Sequence, residues 1–157
     1  MAAQQCIPLC ENKRVVVIPT KSPPEGISAM LNLDTYAEES DIVETFENVI
    51  ANVHTGLVTH AARDSEFDGQ QIHSGEYLGL LDGSLVGSQA QISDLITLLC
   101  DRLDTIDPSF LSVYYGIDVE EQQAQVCADI LSTRFPKAEV SLINGGQPVY
   151  YYMISAE

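Results

Sequence analysis

FLSVYYGIDVEEQQAQVCADILSTRFPKAEVSLI, residues 110–143, reads as a complete strand, helix, strand passage. Phe110-Leu111-Ser112-Val113-Tyr114-Tyr115 is rich in aromatic and branched residues and stops at Gly116, as a strand does. Residues 119–135 follow with helical spacing, Val126, Ile130 and Leu131 forming the apolar stripe. Glu139-Val140-Ser141-Leu142-Ile143 is extended again. Such passages close with a right-handed crossover, which places the two strands in one sheet and the helix on its face.

Working outward, the same alternation repeats. Residues 84–87 read as a strand, 89–104 as a helix with Ile92, Leu95, Ile96, Leu99 and Leu103 on one side, and 110–115 as the next strand. Asp82-Gly83 favours a hairpin between 76–81 and 84–87, because glycine tolerates positive φ. Leu57 to Ala62 is a further strand, and Phe67-Asp68-Gly69-Gln70 suggests a tight turn. Residues 55–87 thus read as a β-rich insertion or subdomain. Tyr150 to Ser155 supplies a last strand. Toward the N-terminus, residues 35–53 form a helix with Ile42, Phe46, Val49, Ile50 and Val53 inward, started by Asp34 or Thr35. Residues 25–31 form a shorter helix, and residues 1–12 a short one carrying Cys6 and Cys10. Arg14-Val15-Val16-Val17-Ile18 is a continuous branched run, expected at the centre of the sheet. The fold class is α/β: a mixed sheet flanked by helices, with a small antiparallel hairpin insertion.

The chain of 157 residues is long enough for one substantial core and is expected to be one domain. Seven Lys and Arg stand against 23 Asp and Glu, a formal charge of −16, and that field opposes nucleic acid and anionic membranes. No apolar run approaches the roughly 20 residues needed to cross a bilayer, so no membrane insertion is expected. The expected location is the cytoplasm. Cys100 and Cys127 fall on apolar helix faces, and only Cys6 and Cys10 have a spacing that suggests a metal, without a second pair to complete it.

Candidate chemistry is sparse. Lys21 leaves the run at 14–18 in Pro19-Thr20-Lys21-Ser22, where its ammonium could meet a phosphate or a partner carboxylate, or simply end the segment at the surface. No phosphate-cradling glycine loop precedes it. His60, Arg63, Asp64 and Glu66 lie close together; Arg63 could clamp a carboxylate, or Asp64 could accept backbone bonds in an ordinary turn. No GxSxG elbow occurs. Tyr114-Tyr115 and Tyr150-Tyr151-Tyr152 place aromatic rings on both sides of their strands, so some are core and others are candidate contacts for a partner. The residues singled out for partner binding are Lys21, Arg63, Tyr114, Tyr115, Tyr150 and Tyr152.

Asn12 to Ser22 with Gly26-Ile27, Thr55-Gly56, Thr59, Ala62-Arg63-Asp64, Gly75, Asp82-Gly83, Tyr114-Tyr115-Gly116, and Gly145 to Tyr150 with Ile154-Ser155 and Glu157 together resemble a known pattern. It is the C-terminal region of bacterial proteins with a dihydroxyacetone kinase-like domain, including the kinase component of fatty acid kinase. The resemblance implies a piece of a longer kinase component whose ATP and magnesium sit in another domain, with no cofactor in this piece. It also implies a separate DegV-like protein that binds the fatty acid and presents its carboxylate, the acyl phosphate then entering phospholipid synthesis. On this pattern the chain is a noncatalytic module that docks the DegV-like protein and its neighbouring domains, and Lys21 and Arg63 are the matching basic positions. Tyr151 departs from the pattern, where proline is common. The competing readings are a subunit completing a shared small-molecule kinase site, and a self-association module, a homodimer through the last strand.

Overall fold

The computed structural model describes residues 3–67 and 69–157; Met1 and Ala2 of the expected first helix and Asp68 of the expected turn lie outside the described residues. The chain divides into two units, one ending at Ala51 and the other spanning Asn52–Glu157.

In the first unit, a 3-10 helix Ala3–Leu9 is exposed throughout and contains Pro8. Helix α1, Pro23–Leu31, starts at Ser22, whose hydroxyl accepts the Glu25 amide at 3.4 Å, while two prolines occupy the first turn, where no amide is required. Helix α2, Glu39–Ile50, packs against α1. Its N-cap is Glu38 and makes no side-chain bond; Asp34 instead accepts the Tyr36 amide at 2.9 Å, so it shapes the turn before the helix.

Residues 14–18 are irregular and form no strand, which corrects the expectation that they centre the sheet. A strand needs a neighbour for its ladder, and the described part of this unit supplies only helices. Val16 is 43% exposed, and Arg14 reaches Glu39 of α2 in an ion pair of 2.7 Å.

The second unit holds the sheet. Its strands are β1 His54–His60, β4 Tyr77–Leu81, β5 Ser84–Gln89, β6 Phe110–Tyr115, β7 Glu139–Asn144 and β8 Tyr152–Ala156, in the order β5-β4-β1-β8-β6-β7. Strands β6 and β7 are parallel, joined through helix α4, Glu121–Arg134; the other pairs are antiparallel. Helix α3, Ile92–Leu103, links β5 to β6 and packs on β4 and β5, while α4 packs on β6 and β7. Strands β2 Ser65–Phe67 and β3 Gln70–Ile72 form a separate antiparallel pair. The result is the mixed α/β sheet with a small hairpin that the patterning indicates. Three strands of the segment 55–87 belong to the main sheet, and only the hairpin stands apart.

Strand β8 explains the centre. Every residue of Tyr152–Ala156 is buried, because β1 and β6 flank it and its Tyr152, Ile154 and Ala156 face the helices. The last strand is therefore interior. The core under α3 and α4 combines Leu95, Leu99, Leu103, Leu111, Val113, Leu131 and Ile154, each at most 1% exposed. Helix α4 buries Ala124, Cys127, Ala128 and Leu131, and Val126 is 54% exposed, so the expected stripe is rotated. Small side chains let this helix lie close to the sheet, and they give little apolar contrast in sequence. No helix among the described residues is long and apolar enough to cross a membrane.

Candidate functional site

Strands β1, β6 and β7 run in one direction, so their C-terminal ends, His60, Tyr115 and Asn144, share one rim of the sheet. In open α/β sheets that rim is where ligands and partners meet the fold. Two anchored loops build it here.

The first is 145–151. The Gly145 and Gly146 amides both donate to the Tyr115 carbonyl, at 3.0 and 3.1 Å. Gln147 Nε2 donates to the Tyr114 and Tyr150 carbonyls at 3.0 and 3.3 Å, and the Gln147 carbonyl accepts the Ile117 amide at 3.1 Å. The Tyr150 amide donates to the Pro148 carbonyl at 2.8 Å across Val149, whose φ is +74°. This is a γ-turn of the rare positive-φ form, strained for a branched residue. The Thr59 hydroxyl holds it from β1, donating to the Val149 carbonyl at 2.9 Å. Tyr151 closes the loop: its amide donates to the Val58 carbonyl at 2.8 Å, a bond proline could not make. Its ring packs edge-on against Tyr77 at 5.4 Å and His60 at 6.1 Å.

The second loop, 61–64, is pinned to 73–76. Ala61 exchanges backbone bonds with Glu76 and Gly75, both at 2.8 Å, and Asp64 accepts the Ser74 amide at 2.7 Å. Glu76 accepts the His73 amide at 2.9 Å and the Ser88 hydroxyl at 2.8 Å, and these donors hold its carboxyl below the ordinary value of 4.5. Asp64 is thus a loop fastener. Arg63 is left exposed on a fixed loop, and its guanidinium makes no ion pair among the described residues.

The residues named from sequence separate accordingly. Arg63 is exposed at the rim, Tyr150 half-buried at the same rim, and Tyr114 half-buried on the sheet face away from α3 and α4. Tyr115 and Tyr152 are 8% and 2% exposed in the core beneath the helices. The Tyr152 hydroxyl donates to the Gln123 carbonyl at 3.2 Å, and burial pushes its pKa well up. Lys21 is exposed in the first unit, at the start of α1. Sequence reading missed Thr59, Gln147 and the His60, Tyr77, Tyr151 ring cluster. The clue available was the density of Gly, Pro and Tyr in 145–152, a loop too costly in conformational freedom to leave unanchored.

At the opposite end of the sheet, His54 Nδ1 meets Asp82 at 2.7 Å, and Asp82 also accepts the Thr55 amide at 2.8 Å. Both contacts fasten the β4–β5 turn to β1. No group of three or more metal-ligating side chains occurs among the described residues. The rim therefore offers a cation without an ion pair among the described residues, and half-exposed aromatic surface, on a rigid base. That is the chemistry of a contact with an acidic partner surface.

These features define an α/β recognition-type domain built on a mixed sheet. The chain belongs to the FakA-like C-terminal family, the C-terminal region of fatty acid kinase's kinase-type component, whose pattern it matches over residues 1–157. It is 35% identical over 160 residues to Protein YloV of Bacillus subtilis, covering 100% of this chain and 28% of that protein. The chain thus spans little more than a quarter of the relative. Among solved structures it is similar to a DegV family protein from Corynebacterium glutamicum, with TM-score 0.69 and 13% identity over 99% of this chain and 67% of that one. It is also similar to the Streptococcus pneumoniae fatty acid kinase B3 protein loaded with linoleic acid, with TM-score 0.52 and 11% identity over 77% of this chain and 50% of that one. At such identities these likenesses show the fold.

Proposed function

We propose that this chain is the noncatalytic C-terminal module of a fatty-acid-kinase-like protein and that its rim docks a DegV-like, fatty-acid-binding partner. The observation that carries the reading is Arg63, held exposed and without an ion pair among the described residues, on a fastened loop at the same rim as the strained 145–151 turn, in a chain whose formal charge is −16. An isolated cation in an acidic field is a specific handle, because it attracts one carboxylate while the surroundings repel misplaced acidic surface. Family membership supports a role in a fatty acid kinase system. The DegV-type fold supports a docking in which two similarly built domains meet, one supplying the lipid and the other its position.

In this reading ATP and magnesium belong to a kinase domain elsewhere in the parent protein. The module contributes orientation: fixing the acyl carboxylate relative to a nucleotide held by another domain removes translational and rotational freedom before phosphoryl transfer. Titrating the chain with a fatty-acid-loaded DegV-like protein should give saturable binding that weakens with salt. Arg63→Glu should weaken it by roughly tenfold or more, about 1.4 kcal/mol, with the fold unchanged. Unaltered affinity in Arg63→Glu would remove the rim from the interface.

A further inference from the structure

The two edges of the sheet are built differently. Between β4 and β5 the register shifts: Gly79 pairs with Gly87 and Leu80 with Leu85, leaving Val86 as an extra residue that bulges the β5 edge. A bulge of this kind twists an edge away from further pairing. Strand β7 has no such device. Its register with β6 is continuous from Phe110 with Glu139 to Tyr115 with Asn144, and it contains neither proline nor lysine.

The direction of its open groups follows from two bonds. Glu139 donates its amide to Ser109 and Gly145 to Tyr115, so the odd-numbered residues between them turn their amides and carbonyls to β6. Val140, Leu142 and Asn144 turn theirs outward, where they have no partner among the described residues. Buried strand groups are normally paired, and a flat unpaired edge is a template for another strand.

We propose that β7 is a self-pairing edge that joins two copies of this chain antiparallel across a twofold axis at Leu142. In that register Leu142 faces its own copy and Val140 faces Asn144, so every outward amide and carbonyl of the three residues is satisfied on both chains. The side chains agree with it. Ser141 faces Ile143, and Glu139, the only acid of the strand, faces Gly145. Residues 140–146 carry no charge in a chain with 23 acids, so this edge brings two copies together without opposing carboxylates. A second copy is also the occupant for which the edge is self-complementary, as an isologous contact requires. One six-residue strand buries less than the roughly 1,200 Å² of a standard interface, which makes the association weak and reversible. Salt strengthens it by screening the repulsion between two strongly acidic bodies, the opposite of the salt response expected for docking through Arg63.

The test is sedimentation equilibrium of the 157-residue chain over a wide concentration range at low and high salt. The expected mass rises from the 17.1 kDa monomer toward twice that value, and does so at lower concentration when salt is added. Asn144→Pro removes an outward amide that no bond inside the sheet uses, and Ser141→Glu adds acid beside the axis. Each should hold the chain at monomer mass with unchanged circular dichroism. In a Cys6→Ser, Cys10→Ser background, the double variant Ser141→Cys, Ile143→Cys should form an intermolecular disulfide under mild oxidation. A native chain that stays monomeric throughout, a dimer untouched by both edge variants, or a double-cysteine variant that gives no cross-link would overturn the proposal.

Discussion

Tyr151 ties three strands together at the rim, with its amide on Val58 of β1 and its ring against Tyr77 at the start of β4, beside the β8 strand that it introduces. Replacing it by proline, the residue common at this place in the pattern the sequence resembles, removes the amide and the ring together. Tyr151→Pro should cost about 1–3 kcal/mol in denaturant unfolding, since it leaves the Val58 carbonyl without its donor. Gly116 is the second such residue. A Cβ there would stand 2.3 Å from the Tyr150 carbonyl oxygen and 2.7 Å from that of Gln147, so backbone must move. Gly116→Ala should destabilise by about 1–3 kcal/mol, and the loss should appear as faster amide exchange in 145–151. The cysteines divide just as sharply. Burial pushes Cys100 up to about 11 and Cys127 up to about 12, while Cys6 and Cys10 are exposed. Alkylation of the folded chain near pH 8 should modify Cys6 and Cys10 and spare the other two until denaturant is added, as peptide mass analysis would read directly.

At the level of elements, nearly every helix and strand from α1 onward is legible in the sequence, because each carries its own period: alternation in β6, a three-and-four spacing in α3, and a glycine turn between β4 and β5. Residues 14–18 mislead for a physical reason. Branched residues favour extended backbone, yet extended backbone becomes a strand only beside a partner, and partners are not written in local sequence. Helix α4 misleads differently, since Ala124, Cys127 and Ala128 bury as well as leucines do and signal far less. Of the candidate site, Arg63 and Tyr150 can be named from sequence, whereas Tyr115 and Tyr152 cannot be told from surface tyrosines until the strand pairing fixes which face each occupies. The γ-turn at Val149 is invisible there, because nothing about valine announces a positive φ. Its strain belongs to the loop as a unit. Val149→Gly should be neutral or stabilising by up to about 2 kcal/mol, while partner affinity falls if the fixed turn shapes the docking surface. A melting curve and a binding titration on the same variant separate those effects.

For the molecule as a whole, charge and burial set the pH response. Tyr114, Tyr152, Cys100 and Cys127 all have folded-state pKa values raised by burial above the ordinary 10.0 for tyrosine and 9.0 for cysteine. For each, stability is intact below the unfolded value and is lost as pH rises past it, because the unfolded chain releases protons that the folded chain retains. Melting temperature should therefore fall steadily from about pH 9 upward, and Tyr152→Phe should show a shallower decline. The same variant should begin about 0.5–1.5 kcal/mol less stable at neutral pH, through loss of the bond to Gln123.

Docking of a lipid-carrying partner at the rim is tested most directly by isothermal titration of the chain with a fatty-acid-loaded DegV-like protein, beside Arg63→Glu and Lys21→Glu at two salt concentrations. Saturable, salt-weakened binding that Arg63→Glu reduces about tenfold is the predicted result. Saturable binding that neither salt nor Arg63→Glu alters, or no binding by a chain whose circular dichroism and melting are intact, would contradict it.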